Sequence, residues 1–255
     1  MLAGHVSDQA RQDFDTSGFV AFREFVAGDA LVELISNVER FIRDIVPTMP
    51  IDHVFYEDKS ERSTLKQLQR LGENDPWFHD LFHTGAFREI AEVLLDGPAV
   101  PKNLQYFCKP PGMGKATPAH QDGYYFMLDP CEAVTMWLAL DEIDDENGCV
   151  WYVPGSHREG MRDHSRTQTL GFSQGIADYP TEDDRQREVA IPAQPGDLLV
   201  HHAMAIHRAG ANQSKSRLRR ALGFVYFSER AKVDIEARDA YQKKLAAEMR
   251  AAGQI

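Results

Sequence analysis

The chain has 255 residues, of which 43% are hydrophobic and 26% are charged. This composition is typical of a globular protein and excludes a disordered, fibrous or membrane-embedded chain. The formal net charge of −11 excludes a broad basic surface for nucleic acid, because phosphate binding requires clustered lysine and arginine.

Targeting signals are also missing from the sequence. No stretch reaches the roughly 20 consecutive apolar residues that a membrane-spanning helix needs, and the N-terminus lacks a basic segment followed by an apolar one. The expected location is therefore the cytoplasm, with no membrane partner. The cysteines, Cys108, Cys131 and Cys149, form no Cys-x-x-Cys pair and are predicted to be buried thiols rather than disulfides or zinc ligands.

Helices dominate the predicted structure of the first 99 residues. A short apolar strand is predicted at 18–22, followed by a helix at 30–45 with Asp29 as its cap. Apolar residues at helical spacing predict two further helices, at 63–71 and 76–95. Two Gly/Pro breaks, at 97–98 and 110–112, then mark a change of pattern.

Short β-rich runs separated by turn residues follow, up to residue 228. The predicted strands span 104–109, 120–126, 133–140, 149–153, 188–191, 197–202, 206–209 and 222–227. We predict a mainly β fold with flanking helices, whose core is a double-stranded β-helix, the cupin-like jelly roll. Residues 1–255 are predicted to form one domain, with a helical part at about 1–99, the jelly-roll core at about 100–228 and a C-terminal helix at about 234–252.

The sequence Ala119-His120-Gln121-Asp122-Gly123 is the first candidate site. Residues two apart in a strand project to the same face, so the His120 imidazole and the Asp122 carboxylate are predicted to point together. Such pairs occur by chance in many proteins. The motif therefore indicates a metal only if a third ligand can be found.

His207 is the candidate third ligand. A tight turn at Gly196-Asp197 opens a strand, and His207 follows after a short connection. Two imidazoles and one carboxylate form the facial triad typical of non-haem Fe(II), which leaves positions open for a bidentate co-substrate and dioxygen. A closed zinc site would need a fourth ligand, and the cysteines are not spaced to provide one. His201 and His202, just before this connection, are predicted to be structural.

Together these motifs resemble the phytanoyl-CoA dioxygenase family of Fe(II)- and 2-oxoglutarate-dependent oxygenases. The resemblance extends from about residue 14 to about residue 227. The segments that carry it are Asp15-Thr16-Ser17-Gly18-Phe19-Val20, His120-Gln121-Asp122, the block from Glu146 to His157, the Gly196-Asp197 turn and Arg219-Arg220-Ala221. It implies that His120, Asp122 and His207 bind Fe(II), that 2-oxoglutarate chelates the metal and that dioxygen (O2) is the oxidant.

The resemblance also implies which residues bind 2-oxoglutarate. The distal carboxylate of this co-substrate needs a fixed cation, and arginine offers a planar pair of donors. Arg219 is the predicted partner; Arg220, on the opposite strand face, and Arg217 are the alternatives. Three further residues are predicted to contact the co-substrate: Trp137, Asn103 and Lys66.

The substrate side of the pocket is less well defined. Tyr124 is predicted to face the substrate, because strand alternation directs it to the side of Asp122. Gln105 is the second predicted substrate contact. Ala209 departs from the family pattern, since many members carry at this position a serine that hydrogen-bonds the co-substrate.

The predicted reaction hydroxylates a C–H bond of a small molecule and converts 2-oxoglutarate to succinate and carbon dioxide. Asp122 favours hydroxylation, because related halogenases lack this carboxylate and bind halide in its place. Two alternatives are a cupin-like metal-dependent hydrolase or isomerase and a non-catalytic jelly-roll binding protein. The sequence leaves open the substrate, a desaturation or cyclisation outcome, and the oligomeric state.

Overall fold

The computed structural model of the protein describes residues 6–169 and 172–251. Within these ranges the α-helices are α1 (Asp8–Ser17), α2 (Gly28–Arg40), α3 (Leu71–Asn74), α4 (Pro76–His83), α5 (Ala86–Leu94), α6 (Gly123–Phe126), α7 (Glu182–Arg187) and α8 (Ile235–Ala251). A π-helical turn at Phe41–Ile45 continues α2. None of the described helices is both long and apolar enough to cross a membrane.

The strands in the same ranges are β1 (Phe19–Phe22), β2 (Val54–Tyr56), β3 (Leu65–Leu68), β4 (Ala99–Lys109), β5 (Thr117–His120), β6 (Leu128–Asp129), β7 (Ala133–Ala139), β8 (Val150–Tyr152), β9 (His164–Thr169), β10 (Phe172–Ile176), β11 (Val189–Ile191), β12 (Leu198–His202), β13 (His207–Ala209), β14 (Arg219–Ser228) and β15 (Lys232–Val233). Seven of them form an antiparallel main sheet in the order β1-β12-β7-β14-β4-β3-β2. Four form a minor sheet in the order β11-β8-β13-β5.

The outer face of the main sheet packs against the N-terminal helices. On β14 this face carries Leu222, Phe224 and Tyr226, all with no exposed surface. Phe224 stacks on Phe87 of α5 with ring centroids 4.1 Å apart. Successive strand residues point to opposite faces, so these large side chains all join the helical layer and its apolar core.

The inner face of β14 carries smaller side chains, Ala221, Gly223 and Val225. A Cβ at Gly223 would lie 2.7 Å from the ring of Phe107, so only glycine leaves room for that ring. The minor sheet packs against this inner face, where Tyr152 of β8 stacks on Phe19 of β1 at 4.4 Å. Space remains between the two sheets at the end where β5 and β13 meet.

The predicted turn before β12 is confirmed. Gly196 has φ +90°, and a Cβ there would lie 1.9 Å from the carbonyl oxygen of Val26. Asp197 is buried and accepts hydrogen bonds from Arg23, from the backbone N–H of Glu24 and from that of Gln194. The turn thereby joins the N-terminal segment to the strand that leads toward His207.

Two predicted elements are wrong. Residues 63–71 are not a helix: a 3-10 turn at Arg62–Thr64 leads into β3, whose leucines are buried while β3 pairs with β2 and β4. Residues 120–126 are not one strand, because β5 ends at His120 and α6 begins at Gly123. The predicted helix at 76–95 exists as α4 and α5, separated at Gly85, whose φ is +77°.

Most other elements agree with the prediction to within a few residues, including β1, α2, β7, β12 and α8. The sequence did not predict α1, α7 or the β9–β10 hairpin, whose strand sequences are rich in polar residues and lack a regular apolar pattern. Cys108 and Cys149 are buried, as predicted, whereas Cys131 is half-buried; all three are free thiols.

Candidate metal centre and adjoining cavity

Three potential ligand atoms converge at the end of the space between the sheets. They belong to His120, Asp122 and His207 and lie within 4.8 Å of one another. The Asp122 Oδ1 atom is 3.4 Å from His120 Nε2 and 3.8 Å from His207 Nε2. One divalent ion could therefore contact all three residues.

The minor sheet brings the two histidines together. His120 ends β5, His207 begins β13, and the two residues are partners in the antiparallel register. Their ring centroids are 4.2 Å apart. Asp122 comes directly before α6 with helical backbone angles, so the chain turns after His120 and brings the carboxylate to the same point. The ligand pair therefore comes from a strand end and a helix start, not from one continuous strand.

Backbone carbonyls orient both imidazoles. The Nδ1 atom of His120 lies 2.8 Å from the carbonyl oxygen of Pro118, and that of His207 lies 3.1 Å from the carbonyl oxygen of Ala205. Since a carbonyl only accepts, Nδ1 carries the proton in each ring and the Nε2 lone pair points toward Asp122. This is the tautomer that binds a metal through Nε2.

The second oxygen of Asp122 is also held. Thr135 donates a hydrogen bond to Oδ2 at 2.5 Å, and His201 Nε2 lies 3.2 Å from the same atom. Burial by itself raises the pKa of Asp122. The neighbouring imidazoles outweigh burial and hold this pKa well below its usual range, so the carboxylate is ionised. Oδ1 is left to face the two histidines.

Burial has the opposite effect on His207. Together with the nearby His120 and His201 rings, it holds the pKa of His207 well below the usual range for histidine. A neutral His207 can bind a metal through Nε2 without losing a proton. These residues fit the donor set of mononuclear Fe(II), because two imidazole nitrogens and one carboxylate oxygen lie within 4.8 Å of one another.

His201 is a site residue that the sequence analysis misassigned as structural. Its Nδ1 atom lies 2.9 Å from the Tyr152 hydroxyl, and burial raises the pKa of that tyrosine, which keeps it protonated. Tyr152 therefore donates to His201, and His201 donates to Asp122. Strand alternation in β12 could have revealed this, since it places His201 on the inner face with Leu199.

A cavity of about 360 Å³ adjoins the three ligands. The main sheet supplies one wall, and β5, β8 and β13 supply the opposite wall. Arg219, which begins β14, projects into this cavity and is only 4% exposed. Its guanidinium lies 4.6 Å above the ring of Trp137, and its Nε donates to the carbonyl oxygen of Gly148 at 3.0 Å.

The block that begins at Glu146 builds the support for Arg219. Asn147 is fully buried, accepts a hydrogen bond from the backbone of Asp144 and donates one to the carbonyl of Glu142. This turn presents the Gly148 carbonyl to the guanidinium. Burial lowers the pKa of Arg219 to about 10, and the arginine therefore still carries its charge at neutral pH.

The sequence matches the same family that its motifs indicated. Residues 14–221 match the profile of phytanoyl-CoA dioxygenase (PhyH). The chain belongs to the phytanoyl-CoA dioxygenase family. Within this family, the phytanoyl-CoA dioxygenase of Arabidopsis thaliana is 26% identical over 250 residues, covering 85% of this chain and 87% of that protein.

Solved structures of similar proteins agree with the assignment. EvdO2 from Micromonospora carbonacea var. aurantiaca, complexed with 2-oxoglutarate, is 26% identical and superposes with a TM-score of 0.71 over 92% of this chain and 96% of EvdO2. The carbocyclase SnoK from nogalamycin biosynthesis shares the fold, with a TM-score of 0.74, 24% identity and coverage of 96% and 92%. The jelly-roll prediction is confirmed.

Membership of the phytanoyl-CoA dioxygenase family also confirms the predicted activity class. The chain is a 2-oxoglutarate-dependent dioxygenase that uses iron and dioxygen. The two alternatives, a cupin-like hydrolase or isomerase and a non-catalytic binding protein, are not favoured.

The alternative arginines of this dioxygenase lie outside the cavity. Arg220 points to the other face of β14, where it forms an ion pair with Asp141 at 2.7 Å. Arg217 pairs with Asp144 and Glu146 in the loop before β14. The structure therefore presents Arg219 to the cavity, which is the arginine that the family resemblance implied, and places Arg220 on the opposite face, as strand alternation predicts.

The other predicted contacts are divided among the cavity walls. Asn103, Gln105 and Lys66 all line the cavity, together with Trp137. Gln105 accepts a hydrogen bond from Gln67 at 2.8 Å. Lys66 pairs with Glu57 at 3.1 Å and lies on β3, not on the predicted helix.

Tyr124 does not face the cavity, contrary to the prediction. It lies in α6 and stacks on His164 with ring centroids 4.2 Å apart. The prediction assumed that the strand continued past Asp122, and the helical turn rotates the side chain away. Tyr125 and Phe126 line the cavity in its place, and so does Lys109, which the sequence analysis did not single out.

Proposed function

We propose that this dioxygenase hydroxylates a small polar molecule in the cavity between the two sheets. The reaction would consume 2-oxoglutarate and dioxygen and release succinate, carbon dioxide and the hydroxylated product. One observation supports it most directly: three metal-ligand atoms and a buried guanidinium open into the same cavity.

The proposed iron ligands are His120 Nε2, His207 Nε2 and Asp122 Oδ1. When bound, iron would supply the redox chemistry that couples the decarboxylation of 2-oxoglutarate to the oxidation of the substrate. The carbonyl partners of the two imidazoles fix the donor atoms in advance. Thr135 and His201 fix the carboxylate, so the ligands need little rearrangement on metal binding.

Arg219 is the proposed partner of the distal carboxylate of 2-oxoglutarate. The Nε atom is already used by Gly148, whereas the two Nη groups make no hydrogen bond with the described residues 6–169 and 172–251. Trp137 holds the guanidinium plane from below. This pre-organised donor pair suits a carboxylate, which accepts two parallel hydrogen bonds.

The wall formed by β3, the adjoining Gln69 and β4 is the proposed substrate side, so Asn103, which the family resemblance assigned to 2-oxoglutarate, is proposed here as a substrate contact. The cavity-lining side chains of this wall include four amides, from Gln67, Gln69, Asn103 and Gln105. Asn103 is the register partner of Val225, which in turn pairs with Thr135, so this asparagine lies in the same row as the residue that holds Asp122. Amide groups near the metal favour a substrate that forms hydrogen bonds.

Loss of 2-oxoglutarate turnover in the ligand variants tests this function. We expect the wild-type protein with Fe(II) to form succinate slowly without a substrate, and His120→Ala, Asp122→Ala and His207→Ala each to lose at least about 100-fold of this rate. His79→Ala, an exposed histidine on α4, is the matched control and should keep the wild-type rate. Ligand variants as active as the wild type would disprove the proposal.

A further inference from the structure

Lys109 lies beside Arg219 on the neighbouring strand of the main sheet. β4 ends at Lys109, β14 begins at Arg219, and the two residues are partners in the antiparallel register. Both side chains line the cavity, with only 7% and 4% of their surface exposed. Two basic side chains thus share a region in which an unpaired charge is costly.

Neutral backbone carbonyls orient both basic groups. The Lys109 ammonium donates to the carbonyl oxygen of Gly210 and lies 3.5 Å from that of Ala209, while Arg219 donates to Gly148. Gly148 has φ +96°, and a Cβ there would lie 2.4 Å from the Gly210 oxygen, so the two glycines approach closely. This contact sets the two carbonyls, and hence the two basic groups, side by side.

Neither basic group has a carboxylate partner in an ion pair among the described residues 6–169 and 172–251. Glu57, which also lines the cavity, is engaged by Lys66. Burial, with the nearby Arg219 charge, holds the pKa of Lys109 well below its usual range. An anion bound between Lys109 and Arg219 would offset this penalty.

We propose that Lys109 is a second anchor for the distal carboxylate of 2-oxoglutarate, beside Arg219. This inference rests on the proposed function. A carboxylate has two oxygens, and the pair offers a planar fork from one side and a point charge from the other. Ala209 provides no hydroxyl to the co-substrate, and the ammonium that lies against its carbonyl supplies a donor at this end of the cavity.

The test compares two keto acids of equal chain length. 2-Oxopentanoate keeps the metal-chelating end of 2-oxoglutarate but lacks the distal carboxylate. Calorimetric titration of the Mn(II)-loaded protein without oxygen gives the dissociation constant for each compound. For Lys109→Met we expect 2-oxoglutarate to bind about 10- to 100-fold more weakly, as for loss of one charge-assisted hydrogen bond. Binding of 2-oxopentanoate should change by less than about threefold.

Lys102→Met is the matched control, because Lys102 is exposed on the same strand, β4, and lies outside the set of described residues that line the cavity; it should keep wild-type affinity for both compounds. Lys109→Gln, which keeps an N–H for the carbonyls, replaces Lys109→Met if the methionine variant does not fold. An unchanged affinity for 2-oxoglutarate, or an equal loss for both compounds, would overturn the role of Lys109. A wild-type protein that binds neither compound would instead contradict the proposed function itself.

Discussion

His201 links Asp122, a proposed iron ligand, to Tyr152 between the two sheets. It hydrogen-bonds the Asp122 oxygen that faces away from the other two ligands, and Tyr152 fixes its ring. Such a partner orients a ligating carboxylate and raises metal affinity without touching the ion. Its contribution can be separated from packing, because phenylalanine fills nearly the same space as histidine.

We therefore expect His201→Phe to weaken Mn(II) binding by about 10- to 100-fold while the protein remains folded. Metal competition with a fluorescent chelator measures this affinity, and circular dichroism checks the fold. His202→Phe is the control, because His202 lies on the opposite face of β12 and contacts Phe14 and His157. Equal metal affinity in the two variants would show that His201 only packs.

The sequence predicted the three metal-ligand candidates from local rules and the cavity arginine from the resemblance to the family. A His-x-Asp motif and a later histidine identify the ligand types, and strand alternation separates Arg219 from Arg220. His201 and Lys109 required the fold. Strand alternation can place each side chain on the inner face, but its role depends on which strand lies beside it, which no local pattern encodes.

At the level of elements, the failed predictions share one cause. Leu65 and Leu68 of β3 are three residues apart, a spacing that favours a helix, and pairing with β2 and β4 decides in favour of the strand. The aromatic residues 124–126 favour a strand, but the chain forms α6, in which the backbone N–H of Gly123 donates to the carbonyl of Ala203 and the carbonyl of Asp122 accepts from the helix backbone. Tertiary contacts overrode the local signal in both places.

The contact between β14 and the helical layer should dominate stability. Phe224 is fully buried and stacks on Phe87, so Phe224→Ala should lower the free energy of unfolding by about 3–5 kcal/mol. Chemical denaturation followed by circular dichroism measures the loss. Val32→Ala, at a site that is 65% exposed, should change it by less than about 0.5 kcal/mol. If Phe224→Ala lowered the free energy of unfolding by no more than Val32→Ala, the helical layer would have to repack into the space left by the phenylalanine ring.

For the whole molecule, the space between the sheets limits the substrate. About 360 Å³ must hold 2-oxoglutarate and the reacting part of the substrate, and the wall formed by β3 and β4 carries amides. We expect small hydroxylated, amino or phosphonate compounds to accelerate succinate formation and long-chain acyl-CoA thioesters not to do so. A screen that measures succinate and product together tests this expectation, and stimulation by acyl-CoA alone would contradict it.

The same screen tests the role of the amide side chains that line the cavity on β4. With a coupled polar substrate, Asn103→Leu and Gln105→Leu should lower kcat/KM by about 10- to 100-fold, since a buried hydrogen bond is lost. Succinate formation without substrate serves as the internal control and should stay near the wild-type rate. Equal losses in both reactions would assign these residues to the co-substrate.

The different side chains on the two faces of β14 also restrict which insertions and deletions this protein can tolerate. Small residues of β14 line the cavity, and large ones pack against the N-terminal helices. A shift of the strand register by one residue would therefore place Leu222, Phe224 and Tyr226 in the cavity. The same register shift would turn Arg219 away from the cavity and direct Arg220 into it. An insertion or deletion inside the strand would therefore abolish both the cavity and the hydrophobic core.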